Sequence, residues 1–220
     1  KEGLRVVIEL KRDVMPEVVL NHLFQDTEMQ SNFPVNMMAL NRGRPMLFTV
    51  RGVLDAFIEF REEVIRRRTI FNLNKARDRA HTLVGLAIAV ENLDPVIELI
   101  RSAPSPQDAK DALLAKAWPA GDVEPLVKLI DEPDRKVENG FYHLSEAQAK
   151  AILDLRLHRL TGLERDKIHE ELMQIGEEIK ECLFILSSRE KLFEIMRNEF
   201  TAIKDEYATP RLTKIEDIDY

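Results

Sequence analysis

At 220 residues, with 45% hydrophobic and 32% charged positions, the chain has the composition of a soluble, folded, helix-rich protein, and neither a disordered nor a collagenous class fits. Its single cysteine, Cys182, excludes an internal disulfide and suits a reducing cytosol, and no apolar run approaches the roughly 20 residues that a membrane span needs. The net charge of −7 argues against a dedicated nucleic-acid binder but leaves room for local basic patches, because phosphate contact depends on where charge sits rather than on its sum.

The sequence opens Lys1-Glu2-Gly3 without an initiator Met and enters a strand almost at once, so it reads as a piece of something longer. Leu4 to Leu10 alternates loosely as strand, and Asp13 followed by Pro16 opens a short helix carrying Val18, Val19, Leu23 and Phe24. Val35 to Leu40 and Met46 to Val50 are β-prone runs around Asn41-Arg42-Gly43-Arg44-Pro45, where Asn and Gly supply the positive φ of a hairpin turn. This first α/β region is expected over residues 1–52.

From Val53 the pattern becomes helical, with Leu54, Phe57, Ile58, Val64, Ile65, Phe71, Ala76, Ala80, Leu83, Ala87 and Val90 recurring and no proline before Pro95. A first arm over 53–93 is therefore expected, about 60 Å long at 1.5 Å per residue. A helix of that length needs a partner, and 164–206 supplies one. There Ile168, Leu172, Ile175, Ile179, Cys182 and Leu186 step by fours and threes as in a coiled-coil seam, and Ser187-Ser188 marks a bend before Leu192, Ile195, Met196, Phe200 and Ile203. Charge agrees with antiparallel pairing. Arg61 to Arg79 holds seven Lys/Arg against three Asp/Glu, and Glu164 to Glu206 holds twelve Asp/Glu against seven Lys/Arg. Exposed pairs contribute only about 0.2–1 kcal/mol each, so the apolar seam must dominate.

Between the arms, 94–163 reads as a compact helical knob. Asp94-Pro95 and Ser105-Pro106 each place a cap before a proline, giving short helices near Val96 to Arg101 and Gln107 to Lys116. Trp118-Pro119 and Gly121 break the chain, Asp122 to Ile130 suits another short helix, and Glu132 to Gly140 is charged loop. Ser145 is then a good N-cap for a helix running to about Leu160, where Thr161-Gly162 stops it; Thr161 with Glu164 forms a capping box for the returning arm. That helix is apolar on two faces. Ala149, Ile152, Leu153, Leu157 and Leu160 fall on one side, with Arg156 among them, and Leu144, Ala147, Ala151 and Leu155 fall nearly opposite. Two accounts follow: a helix wholly buried in its own domain, or one that gives a face to a second copy of the chain through Ala149, Ile152, Leu153, Arg156, Leu157 and Leu160. Residues 207–220 form a C-terminal extension.

Tyr142-His143-Leu144-Ser145, Gln148-Ala149, Ala151 to Leu157 and Arg159-Leu160-Thr161-Gly162-Leu163-Glu164 carry a resemblance. Together with Arg67-Arg68-Thr69-Ile70-Phe71, Lys75 to His81 and Gly3 to Arg12, they resemble bacterial type IIA topoisomerase A subunits, and the Thr161 to Glu164 ending is similar to the gyrase branch more than to the topoisomerase IV branch. Near the end, Pro210-Arg211-Leu212-Thr213 departs from the paired arginines usual before the threonine. The resemblance implies a mainly α fold with a small β portion: the end of a tower domain, two long antiparallel arms and a dimerising exit gate. It also implies a cytoplasmic homodimer that works with the gyrase B subunit on DNA in ATP-dependent negative supercoiling by double-strand passage. The nucleophilic tyrosine domain, Mg²⁺ and ATP sites of such an enzyme lie elsewhere, so no cofactor or metal is expected in this stretch. Alternatives are a topoisomerase IV gate, or a chromosome-scaffold or ATPase hinge with coiled-coil arms.

The residues themselves offer little chemistry. Tyr142, Tyr207 and Tyr220 sit in no nucleophile motif, the five histidines do not cluster with cysteine at zinc spacing, and no glycine-rich phosphate loop occurs. Glu pairs such as Glu170-Glu171 match solvated helix faces better than a general acid/base couple. The basic residues Arg66, Arg67, Arg68, Lys75, Arg77 and Arg79 have two readings: partners of the acidic returning arm, or weak phosphate contacts along a cavity that passes DNA.

Overall fold

A computed structural model describes residues 5–130, 137–155 and 162–216, apart from the side chains of Leu129 and of 162–164. The fold is mainly α with two small antiparallel sheets, as composition and periodicity lead one to expect. It divides into two units, 1–56 and 57–220.

In the first unit, helix α1 spans Pro16–Asp26, with Pro16 at its first position and Met15, not Asp13, at its N-cap. Asp13 instead takes a positive φ of 72° just before it. Strands β1 (Met38–Asn41) and β2 (Arg44–Leu47) form the expected hairpin, but its turn is tighter than the five-residue loop read from sequence. Asn41 pairs with Arg44, so Arg42 (φ 50°) and Gly43 (φ 77°) take the positive angles, the pattern of a two-residue turn matched to strand twist. Of the strand expected over Leu4 to Leu10, the described residues 5–10 form none. Residues 5–10 are irregular, because alternation makes a strand only where a neighbour pairs its N–H and C=O groups, and none does so among the described residues. No described residue before Val50 is fully buried, and Val6, Phe33, Val35 and Leu40 are each more than 70% exposed.

Helix α2 (Val50–Glu91) runs 42 residues without a break and enters the second unit, where it is the spine. The returning chain is α7 (Gly162–Ser187) and α8 (Arg189–Tyr207), divided at Ser188, whose hydroxyl caps α8 by accepting the Lys191 N–H. The pairing is antiparallel. Phe57 stacks on Phe200, Ile65 packs with Leu192 and Met196, and Glu91 at the end of α2 meets His169 near the start of α7. The seam residues Leu172, Ile175 and Ile179 are buried, and Ile168, Cys182 and Leu186 pack against them.

Around the C-terminal part of α2 lie α3 (Leu93–Ser102), α4 (Pro106–Ala115), a 3₁₀ turn (Gly121–Val123), α5 (Glu124–Ile130) and α6 (Glu146–Leu153). The Asp94-Pro95 cap is corrected: α3 begins at Leu93 behind Asn92, which makes no side-chain cap. Ser105 caps α4 as expected. Trp118-Pro119 does more than break the chain. Ala117–Pro119 forms strand β3, paired with β4 (Phe141–His143), so that Trp118 faces Tyr142 and both are buried. Three-residue strands carry no period for a sequence reading to detect. Gly176 lets α5 and α7 meet: a Cβ there would lie 2.7 Å from Leu126 Cδ2.

Candidate functional site

The two features singled out by sequence were the gate helix and the basic run. Ser145 begins α6 as expected, and its hydroxyl accepts the Gln148 N–H at 3.0 Å while Gln148 Oε1 accepts the Ser145 N–H at 2.8 Å, a reciprocal capping box. The helix is shorter than expected. It ends at Leu153, with Asp154 as C-cap at φ −79°, ψ −5° and Leu155 already irregular, although nothing between Asp154 and Leu160 is a glycine or proline. The Asp154 side chain, a weak helix former, falls where the helix gives way.

Of the six expected interface residues, three lie among the described residues, and these differ in setting. Ala149 and Ile152 are 0% and 4% exposed and belong to the chain's own core, so their surface is already covered from within. Within that core α6 packs chiefly against α4, and it approaches the α2 backbone where Gln148 meets Gly85. Leu153 is half-buried beside Ile152 in a cleft of about 260 Å³ that also includes Leu93, Val96, Ile97, Ile100 and Leu155. Arg156, Leu157 and Leu160 lie outside the described residues, as does the expected Thr161 and Glu164 capping box. On the opposite side Leu144 is buried, Ala147 exposed, and Ala151 and Leu155 half-buried. Among the described residues, buried positions therefore fall on both sides, Ala149 and Ile152 on one and Leu144 on the other.

The basic residues do not gather on one face. Ile65, Leu73, Ala76 and Ala80 turn inward. At 100° per residue Arg68, Lys75 and Arg79 lie on one flank of that stripe, Arg66 and Arg77 lie on the other, and Arg67 points away. Two of the first group pair with the returning arm: Arg68 with Glu199, and Arg79 with Glu171, whose Oε1 is 2.6 Å from Nη2 and 2.8 Å from Nε. Arg67 pairs within its own helix, with Glu63. Lys75 and Arg79 line an open cleft with Asn72, Glu178, Glu181 and Cys182. There burial first, and Glu181 and Glu178 after it, push the Cys182 thiol above its usual range, which keeps it protonated and unreactive.

Sequence reading missed three residues. Arg61 donates from Nη2 to Glu199 Oε2 at 2.8 Å, and its place on the flank shared with Arg68 and Arg79 was the available signal. Gln148 is a fully buried polar side chain. Glu91 closes α2, where Gly121 with its positive φ comes so near that a Cβ would sit 2.5 Å from Oε2; His169 Nε2 is 3.4 Å from Oε1. Burial raises the Glu91 carboxyl and Asp122 adds to this, against the lowering by His169 and Arg165. Among the described residues no group of three or more His, Cys, Asp or Glu is placed to hold a metal, and no helix is long and apolar enough to cross a membrane.

The described residues thus form an antiparallel helix pair with a small helical region packed around one end of α2. Residues 1–201 match the family profile of the DNA gyrase/topoisomerase IV A subunit, and the chain belongs to that family. It is 53% identical over 218 residues to the DNA gyrase A subunit of Granulibacter bethesdensis, covering 99% of this chain and 23% of the relative. The corresponding proteins of Rickettsia bellii and Salmonella typhimurium are 50% and 46% identical, over 98% of this chain and 24% and 26% of theirs. The chain thus spans about a quarter of the length of the curated relatives it matches.

Proposed function

We propose that this chain is the exit-gate portion of a gyrase A subunit, and that it works as a non-catalytic module which self-associates through the region of α6 and opens to release a transported duplex. The supporting observation is the antiparallel pairing of α2 with α7 and α8, which carries α3 to α6 at the end where Glu91 meets His169. Two levers joined in this way convert movement of the arms into movement of the helical region without any bond being broken. In this reading the gyrase-like ending favours negative supercoiling over a topoisomerase IV role. ATP, Mg²⁺, the nucleophilic tyrosine and the gyrase B subunit act from other parts of the whole cytoplasmic enzyme. Arg66, Arg67, Arg68, Lys75, Arg77 and Arg79 are weak DNA contacts at most, since their division among three directions leaves few phosphates within reach of any one flank.

Sedimentation of the 220-residue chain from nanomolar to high micromolar concentration tests the reading. A concentration-dependent dimer is expected, and a monomer throughout overturns it. Incubation with supercoiled plasmid, Mg²⁺ and ATP should give neither cleavage nor relaxation; covalently attached DNA would contradict the non-catalytic assignment.

A further inference from the structure

Gly85 lies buried in α2, and a Cβ there would sit 2.6 Å from both Cβ and Cγ of Gln148 and 3.1 Å from Cδ. No real side chain tolerates such an approach, so only glycine lets Gln148 lie directly against the α2 backbone. There the glutamine amide is used on both sides. Besides accepting the Ser145 N–H, it donates from Nε2 to the His81 carbonyl at 2.7 Å and to the Tyr142 hydroxyl at 3.1 Å. The His81 ring closes the circuit, its Nε2 lying 2.7 Å from Ser145 Oγ. Gln148, Tyr142 and Ser145 are 0%, 3% and 5% exposed.

A capping box needs only Ser145 and Gln148; the bonds to His81 and Tyr142 go beyond it and join three elements. Apolar contacts such as those of Ala149 and Ile152 permit small sliding. A buried polar circuit does not, because one displacement breaks several directional bonds at once and leaves their groups without water. α6 has eight residues, too few to hold itself as an isolated helix.

We propose that Gln148, seated on Gly85, is a positioning residue that locks α6 to α2, so that the first arm and the helix assigned to the gate move as one block. The mechanical consequence rests on the exit-gate reading; the lock itself does not. Relative motion then falls elsewhere, and among the described residues the long helices are interrupted at Ser188 on the other arm.

Hydrogen exchange on the 220-residue chain tests the lock. Gln148→Met keeps the volume and removes the amide. The amides of Ala149 to Asp154 should lose about tenfold or more of their protection, while those of Leu172 to Ile179 in α7 keep theirs. Gly85→Ala leaves every polar group of Gln148 in place and displaces it from α2, and should produce the same selective loss. Combining Gly85→Ala with Gln148→Ala makes room for the new methyl and should loosen α6 less than the two changes added separately. Unchanged α6 exchange in both single variants, or equal loss in α6 and α7, overturns the lock. Sedimentation of the same samples separates this from the gate: a wild-type monomer whose α6 still loosens selectively sinks the gate and keeps the lock, whereas a dimer with unmoved α6 does the reverse.

Discussion

Arg61 and Glu199 meet across the two arms, the guanidinium Nη2 2.8 Å from the carboxylate Oε2, with side chains only 24% and 28% exposed. Arg68 engages the other oxygen of the same carboxylate. One acidic group therefore holds two basic ones, beside the small separate core of Ile65, Leu192 and Met196, against which Phe193, Ile195 and Phe200 pack.

Removing that carboxylate leaves two cations facing each other. Glu199→Gln should lower stability by about 1–2 kcal/mol, between the values for exposed and buried charged pairs. Arg68→Gln should cost less than half as much, because Arg61 keeps its bond. Urea denaturation followed by circular dichroism reads both, and equal costs would show that the Arg61 bond contributes nothing.

Ser145→Ala should cost about 1 kcal/mol and at most about 2 kcal/mol, the upper range for an N-cap. Ser105→Ala, at the exposed cap of α4, should cost less: Ser105 serves only its own first turn, whereas Ser145 is buried and also meets the His81 ring. Thermal denaturation of the two variants ranks them, and the reverse order would remove His81 from the account.

Glu91 gives a dependence on pH. Its folded-state carboxyl is raised above 4.5 chiefly by burial, so the charged form is penalised on folding. The penalty is absent below the unfolded value, develops as pH rises through the window from 4.5 to the raised folded value, and is complete above it. Glu91→Gln removes this titration. The variant should exceed wild type in stability at neutral pH by a fraction of a kcal/mol, since solvent screens a partly exposed group. The difference should close on acidification below about 4.5. A gap that widens in acid would mean that the His169 contact outweighs burial.

The parts legible in the sequence were those with a long period or a local chemical cue. The 42-residue α2 and the seam through Leu172, Ile175 and Ile179 repeat often enough to be counted, and the Ser145 cap is a property of four adjacent residues. What escaped depends on distant neighbours. Leu4 to Leu10 alternates correctly yet has no partner strand among the described residues. Ala149 and Ile152 had two readings, and a helical wheel cannot say which apolar edge the chain's own core covers; both are buried in that core. Gln148 drew no structural reading of its own, because its role depends on Gly85, 63 positions earlier, lying beneath it. A lone glycine inside an otherwise unbroken helical pattern was the available signal.

The same covering decides how a charge should be introduced to test self-association. Ile152 is 4% exposed in the chain's own core, so Ile152→Glu buries an unpaired carboxylate and should unfold the region around α6 whatever the oligomeric state. Leu153 is only half-buried, on a cleft whose other walls are Leu93, Ile97, Ile100 and Leu155, and a glutamate there reaches water without leaving its helix. Leu153→Glu should therefore keep its helical signal and thermal transition while losing concentration-dependent association by an order of magnitude or more, as when a charge replaces an apolar side chain that contributes about 1.5–3 kcal/mol when fully covered. Sedimentation and circular dichroism on the same samples distinguish the outcomes. If Leu153→Glu associates as wild type does, the rim formed by α3 and the end of α6 is not the contact, and self-association must be sought on a surface that excludes Leu153.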